Sequence, residues 1–209
     1  MASTKTKGFS LLELMMTLTI SLILTGIGYV TLEPTLQQQR VNDAYNITLT
    51  SLRHARDQAA ADMRIYVVSF SPPLTTGPSP NGGTVTATQN TTTGTTLFSI
   101  TLPPDVTYHV EPGVPTSPTT APTTPDGFGS AGYTFDFDQG IGAGGGTTIY
   151  FYPDGTARDI NGNLNNGVVY LGRPGALNSC RAITLWGATS RIRGWRLNPS
   201  GTSWSWSQQ

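Results

Sequence analysis

Apolar and polar positions divide the chain into three stretches with different periods. Residues 9–32, FSLLELMMTLTISLILTGIGYVTL, are almost continuously apolar and hold one ionisable side chain, Glu13. At about 1.5 Å per residue a helix of this length reaches roughly 36 Å, enough to cross the ~30 Å hydrocarbon layer of a bilayer. From Val41 the pattern changes: Val41, Tyr45, Leu49, Leu52, Ala59 and Met63 recur three, four or seven residues apart, with Asp, Arg, Gln and Asn between them. That is the spacing of an amphipathic helix. Pro34 lies between the two stretches, where it removes one backbone hydrogen bond, and Gly26 and Gly28 soften the same region. The prediction is one long kinked helix from about residue 9 to about residue 62, with a transmembrane part at 9–32 and an amphipathic continuation at 33–63.

Beyond Arg64 the period drops to two. Short runs rich in Val, Ile, Thr and aromatic residues alternate with Gly, Pro and Asn clusters. Strands are predicted at 65–70, 84–88, 95–102, 106–110, 133–137, 147–152, 168–171, 181–185 and 191–197, and a turn at Pro153-Asp154-Gly155. The fold class is α+β: a long N-terminal kinked helix packed on a mostly antiparallel β-sheet domain, residues 64–209. Residues 71–83 and 111–126 are too rich in proline for central strands, and the second is expected to be a flexible Pro/Thr loop.

Composition sharpens this picture. Charged residues make up 11% of the 209, under half of the usual fraction of about 25%. Net charge is zero, so no global attraction to nucleic acid or anionic lipid follows. Both lysines, Lys5 and Lys7, precede the apolar stretch, and the next basic residue is Arg40. Positive charge on one side of a span predicts an N-in, C-out single-pass topology. The single cysteine, Cys180, excludes an intrachain disulfide and a cysteine-rich metal site.

An ordinary secretory signal has a shorter apolar core, a small-x-small cleavage site and no carboxylate near its start, so the segment reads as a retained anchor. Glu13 then needs an explanation, because a carboxylate inside a bilayer costs about 2.5 to 3.5 kcal/mol near the midplane, and less near an end. No basic residue of the same helix reaches it. A cut between Gly8 and Phe9 creates an α-amino group four residues before Glu13, and that amine is the missing cation.

The run Lys7-Gly8-Phe9-Ser10-Leu11-Leu12-Glu13-Leu14, followed by an unbroken apolar helix, resembles the class III signal of type IV pilins and type II secretion pseudopilins. The resemblance implies that residues 1–8 are a leader peptide, cut after Gly8 by a prepilin peptidase that methylates Phe9. It also implies that Glu13 neutralises the terminal amine of an adjoining subunit during assembly. Ile149-Tyr150-Phe151-Tyr152-Pro153-Asp154-Gly155-Thr156, then Ala182-Ile183-Thr184-Leu185 and Arg191-Ile192-Arg193, look like the GspH/FimT group of minor pseudopilins and minor pilins. Ser190 stands where that group most often has glycine. The implied pilin fold carries a structural role: priming or capping a type II secretion pseudopilus or a type IV pilus. The implied partners are other pilins or pseudopilins through the N-terminal helix, the prepilin peptidase, an inner-membrane assembly platform and membrane lipid. The implied location is the bacterial inner membrane, with the C-terminal bulk in the periplasm or at the cell surface.

Catalytic and cofactor chemistry finds no motif. His54, His109 and Cys180 have no spacing that proposes a nucleophile and base, and no Walker loop, HExxH, GxSxG or dinucleotide fingerprint occurs. No catalytic residue, cofactor or metal is therefore expected. Asp136-Phe137-Asp138-Gln139-Gly140 and Asp159-Ile160-Asn161-Gly162-Asn163 place oxygen ligands at alternate positions but lack the distal glutamate of a calcium loop. The C-terminus supplies the alternative: a FimT-like DNA-binding minor pilin for DNA uptake. There Arg191, Arg193, Arg196 and Trp195 would hold phosphates and stack bases. A solvated edge strand is the preferred reading of the same residues.

Overall fold

The computed structural model describes residues 8–72, 82–116, 124–129, 132–139 and 145–209. Two compact units are present, Met1–Gln39 and Arg40–Gln209. One helix, α1 (Leu11–Asp62), contributes residues to both and is continuous through Pro34. Ten strands follow: β1 (Tyr66–Ser71), β2 (Thr84–Gln89), β3 (Thr96–Thr101), β4 (Phe135–Gln139), β5 (Thr148–Phe151), β6 (Ala157–Arg158), β7 (Asn166–Arg173), β8 (Ala176–Trp186), β9 (Arg191–Ser200) and β10 (Ser203–Gln208).

In the first unit the large side chains of α1, among them Leu12, Met15, Met16, Ile20, Leu24 and Ile27, are all exposed. Among the described residues this is the one helix long and apolar enough to cross a membrane. Four of its hydroxyls are compatible with lipid because they turn back on the helix. Thr17 donates to Leu14 O at 2.9 Å, Thr19 to Met15 O at 2.7 Å, Ser21 to Thr17 O at 2.8 Å and Thr25 to Ser21 O at 2.8 Å. These four hydroxyls need no water from the bilayer.

In the second unit α1 buries one stripe: Val41, Ala44, Tyr45, Thr48, Leu52, Ala55 and Ala59. The stripe meets two antiparallel sheets, ordered β3-β2-β1-β5-β6 and β10-β9-β8-β7-β4. Alternate residues of both sheets close the core, including Val68, Phe70, Ile149, Val169, Leu171, Ile183 and Ile192. Small residues on the helix bring the backbones close together, and one contact leaves no room at all. A Cβ on Gly194 of β9 would lie 1.5 Å from the Tyr45 hydroxyl.

Three sequence expectations differ from the structure. Residues 106–110 form no strand and make a single antiparallel bridge, Thr107 to Gly172, although Val106 and Tyr108 are buried in the core. Tyr108 is held by the Thr48 hydroxyl at 3.0 Å, so its burial needs no ladder. Strands β6 and β10 were not predicted: one has two residues, and the other alternates Ser with Trp behind a Gly201 turn at φ +61°. Met63, counted in the apolar stripe, is exposed at φ +54°, immediately past the end of α1. The Pro153-Asp154-Gly155 turn forms as expected, with Gly155 at φ +80° and Tyr152 N bonded to Thr156 O at 2.9 Å.

The sheet containing β7, β8 and β9 is buried on both faces, which is why β7 reads as a continuous run rather than an alternation. Its second face carries a separate apolar cluster of Val168, Tyr170, Ala182 and Leu197, with all four tryptophans packed around it. The described ends of segment 111–126 lie against this face. Gly175 N donates to the Glu111 carboxylate at 3.0 Å, and Trp206 Nε1 donates to Pro115 O at 3.1 Å. Residues 117–123 lie outside the described residues.

Candidate functional site

The N-terminal segment is the first candidate. Gly8, Phe9 and Ser10 precede α1, and Ser10 O receives the amide of Leu14 at 3.1 Å, opening the helical ladder. Phe9 is 81% exposed. Glu13 sits in the first turn of α1, where free backbone amides and the positive end of the helix dipole favour a carboxylate. Among the described residues Glu13 has no hydrogen-bond or ion-pair partner. Lys5 and Lys7 lie outside the described residues.

Residues 3–29 match the family model for the prokaryotic N-terminal methylation motif. The methylation motif supports a type IV pilin-like protein, and with it interaction with other pilins and with a prepilin peptidase. The methylation motif and the apolar helix together fit anchoring in a membrane. No curated protein and no solved structure matches the chain.

The C-terminal arginines are the second candidate, and the structure separates them. The two-residue period puts Arg191, Arg193 and Trp195 on the face of β9 away from α1, and Arg196 on the face towards it. Arg193 Nη1 donates to Asp126 Oδ1 at 2.8 Å. The other oxygen of Asp126 accepts from the Thr184 hydroxyl at 2.5 Å, and that hydroxyl accepts from Trp195 Nε1 at 3.0 Å. Asp126 is buried and has φ +52°, a conformation that side chains other than glycine adopt at some cost. The guanidinium of Arg191 lies over the Trp186 ring at 5.0 Å. Arg193, Trp195 and Asp126 thus form one closed network, Arg191 is stacked beside it, and Arg196 lies on the opposite face, across from Arg181. Sequence reasoning missed Asp126, because nothing in a Pro/Thr-rich run signals a partly buried ion pair.

The remaining titratable groups have structural partners. His54 stacks on Phe98 with ring centres 5.6 Å apart. His109 Nε2 is 3.0 Å from Glu111 Oε2, and the same carboxylate lies near Cys180. Burial, followed by the Glu111 charge, pushes the Cys180 thiol up to about 12, so it stays protonated at neutral pH and is no thiolate nucleophile. Asp138 and Asp159, from the two calcium-like runs, line one cleft with Thr92, Gly146, Thr148 and Asn161. Their carboxylates are already engaged: Asn165 Nδ2 donates to Asp138 at 2.7 Å, and the amides of Asn161 and Asn163 donate to Asp159 at 2.9 and 2.7 Å. Among the described residues no cluster of three or more His, Cys, Asp or Glu is placed to hold a metal ion.

Proposed function

We propose that this chain is a minor pilin or pseudopilin of the GspH/FimT type, a structural subunit and not an enzyme, which primes or caps a type II secretion pseudopilus or a type IV pilus. Prepilin peptidase removes residues 1–8 and methylates Phe9. The mature chain spans the inner membrane once, N-in and C-out, and residues 64–209 face the periplasm or, in the filament, the cell surface. Glu13 then meets the terminal amine of an adjoining subunit. Two charges in a low-dielectric bundle are costly apart and much less so together, so the pair pins the register of neighbouring helices. The inner-membrane platform drives assembly.

The single observation that carries this reading is the methylation motif over residues 3–29, joined to a helix long and apolar enough to cross a membrane. The arrangement of the arginines favours an architectural role over DNA uptake. Arg193 is neutralised by Asp126, and Arg196 lies on the other face of β9 from Arg191 and Trp195. Mass spectrometry of the protein from the cell envelope tests the reading. The expected product begins at Phe9 and carries one added methyl; an intact leader on assembled protein would overturn the proposal.

A further inference from the structure

The outer faces of the two sheets differ. The tryptophan cluster covers the second sheet, whereas the first carries a row of hydroxyls, Ser99, Thr86, Ser69 and Thr148, in register across four strands. In β5 the alternation is clean: Ile149 and Phe151 are buried in the core, so Thr148 and Tyr150 point outward. Where the row ends at Thr148 a cleft of about 410 Å³ opens, a volume within the range of small-molecule sites. Thr148 and Tyr150 line it together with Thr92 of the β2–β3 turn, Asp138 of β4 and Asn161 of the loop after β6.

Much of this lining is unpaired. Among the described residues no partner is bonded to the hydroxyls of Thr92, Thr148 and Tyr150, to Asn161 Oδ1 or to Asp138 Oδ2. Asp138 uses only its other oxygen, which accepts from Asn165 Nδ2 at 2.7 Å. Gly146 leaves room beside Oδ2, where a Cβ would lie 2.3 Å away. The Asn161 loop takes its shape from Asp159, whose oxygens accept the amides of Asn161 and Asn163 at 2.9 and 2.7 Å and the Asn163 side chain at 3.0 Å. Burial, followed by Tyr152 and the Asp159 charge, pushes the Tyr150 phenol up, so at neutral pH it keeps a proton to donate. No basic side chain lines the cleft among the described residues. Arg158, opposite Tyr150 in the sheet, is turned away to Asp154, Thr156 and the Tyr152 ring.

These groups select what fits. An anion is disfavoured, because the cleft holds the carboxylates of Asp138 and Asp159 and no cation. A divalent cation is poorly served too, since both Asp159 oxygens already receive N–H groups and a single carboxylate oxygen, Asp138 Oδ2, is left. A neutral polyhydroxyl compound matches, because each of its hydroxyls both donates and accepts. It can give protons to Asp138 Oδ2 and Asn161 Oδ1 and receive them from Thr92, Thr148 and Tyr150. The half-buried Tyr150 ring and the exposed Ile160 side chain offer apolar surface to the C–H face of a sugar ring. We propose that this cleft is a binding site for a neutral saccharide. The site lies wholly within the second unit and is independent of the filament-subunit reading.

Full-length protein in a detergent without a sugar headgroup is the material for the test, since a maltoside would itself compete. Saturation-transfer NMR is recorded with glucose, galactose, mannose and N-acetylglucosamine, each at millimolar concentration. At least one of them is expected to receive magnetisation from the protein. Asn161→Ala and Thr92→Val, both at exposed positions, should each weaken binding of that sugar by about three- to tenfold with thermal midpoints unchanged. Tyr150→Ala should weaken it by about tenfold or more. If Tyr150→Ala also lowers the midpoint, the two exposed variants decide. Silence from all four sugars would overturn the proposal, as would a sugar that binds wild type, Asn161→Ala and Thr92→Val equally. A wild-type midpoint raised by calcium chloride and by none of the sugars would give the cleft to a cation and overturn the saccharide site.

Discussion

The two parts of α1 meet their surroundings in opposite ways. Among the described residues of 11–39 exposed apolar side chains predominate, and the hydroxyls of Thr19, Ser21 and Thr25 bond back to carbonyls one turn earlier. In residues 40–62 the apolar side chains keep to one stripe, and polar groups reach across to other elements. Arg40 pairs with Asp105, Thr48 meets the Tyr108 hydroxyl and Asn42 receives Arg181. The first part is made for a solvent that offers no hydrogen bonds; the second is made for one sheet-packed face and one wet face. A polar group therefore means different things in the two parts. Among the described residues Glu13 has no partner, whereas the Arg40–Asp105 and Arg193–Asp126 pairs of the second unit tie loops to the helix and the sheet.

The contrast implies separable defects. The largest effect is expected from Glu13→Ala: incorporation into filaments should fall by an order of magnitude or more, while the thermal midpoint of the protein in detergent stays unchanged. Quantitative blotting of sheared filaments beside a melting curve measures both, and normal incorporation would remove the role given to Glu13. Gly194→Ala should do the reverse. The added methyl meets the Tyr45 hydroxyl, so Tyr45 or the β9 backbone must shift, at a cost of about 1–3 kcal/mol. For a domain of this size each kcal/mol lowers the midpoint by about 2–4 °C. A midpoint equal to wild type would mean that α1 and β9 are less tightly packed than described.

A smaller loss is expected from Asp126→Asn, which leaves the partly buried Arg193 without its carboxylate but keeps an acceptor for Thr184. The cost should be about 1–2 kcal/mol, read by denaturant unfolding, and protease cutting within 111–129 should speed up. The smallest effect concerns acid. Asp159 is pushed up by burial, but the hydrogen bonds of Asn163 and Asn161 outweigh this and hold its carboxyl below the ordinary aspartate range. A carboxyl with a depressed folded value contributes stability above its unfolded pKa of about 3.9 and loses it as pH falls through the folded value. Asp159→Ala should flatten the stability profile only below that unfolded value. A profile that stays parallel to wild type down the whole acid limb would refute the assignment.

Local chemistry made part of this molecule legible. Continuous apolarity marks residues 9–32, a helical stripe marks Val41 to Ala59, and Pro153-Asp154-Gly155 marks its turn, because each signal comes from residues close in the chain. The methylation motif belongs to the same class, being a linear signal within residues 3–29. The strand at 106–110 was overpredicted because Val106 and Tyr108 have the right alternation and the right burial but the segment meets β7 through a single bridge, Thr107 to Gly172. Strand β10 was missed because Ser-Trp alternation is weak until the tryptophans find the second apolar cluster.

What the amino-acid sequence determined by itself is the long apolar helix, the methylation motif, the acidic residue in the first turn and the α+β class, all consequences of short-range order and of transfer between water and lipid. Tertiary structure alone decided which arginines act together. Arg193 meets Asp126 from 67 residues away, and Arg181 lies opposite Arg196 because β8 and β9 pair in that register. Long-range pairing is set by how two sheets and a helix share a core, and a one-residue slip of β9 would exchange Arg193 with Arg196 between the two faces.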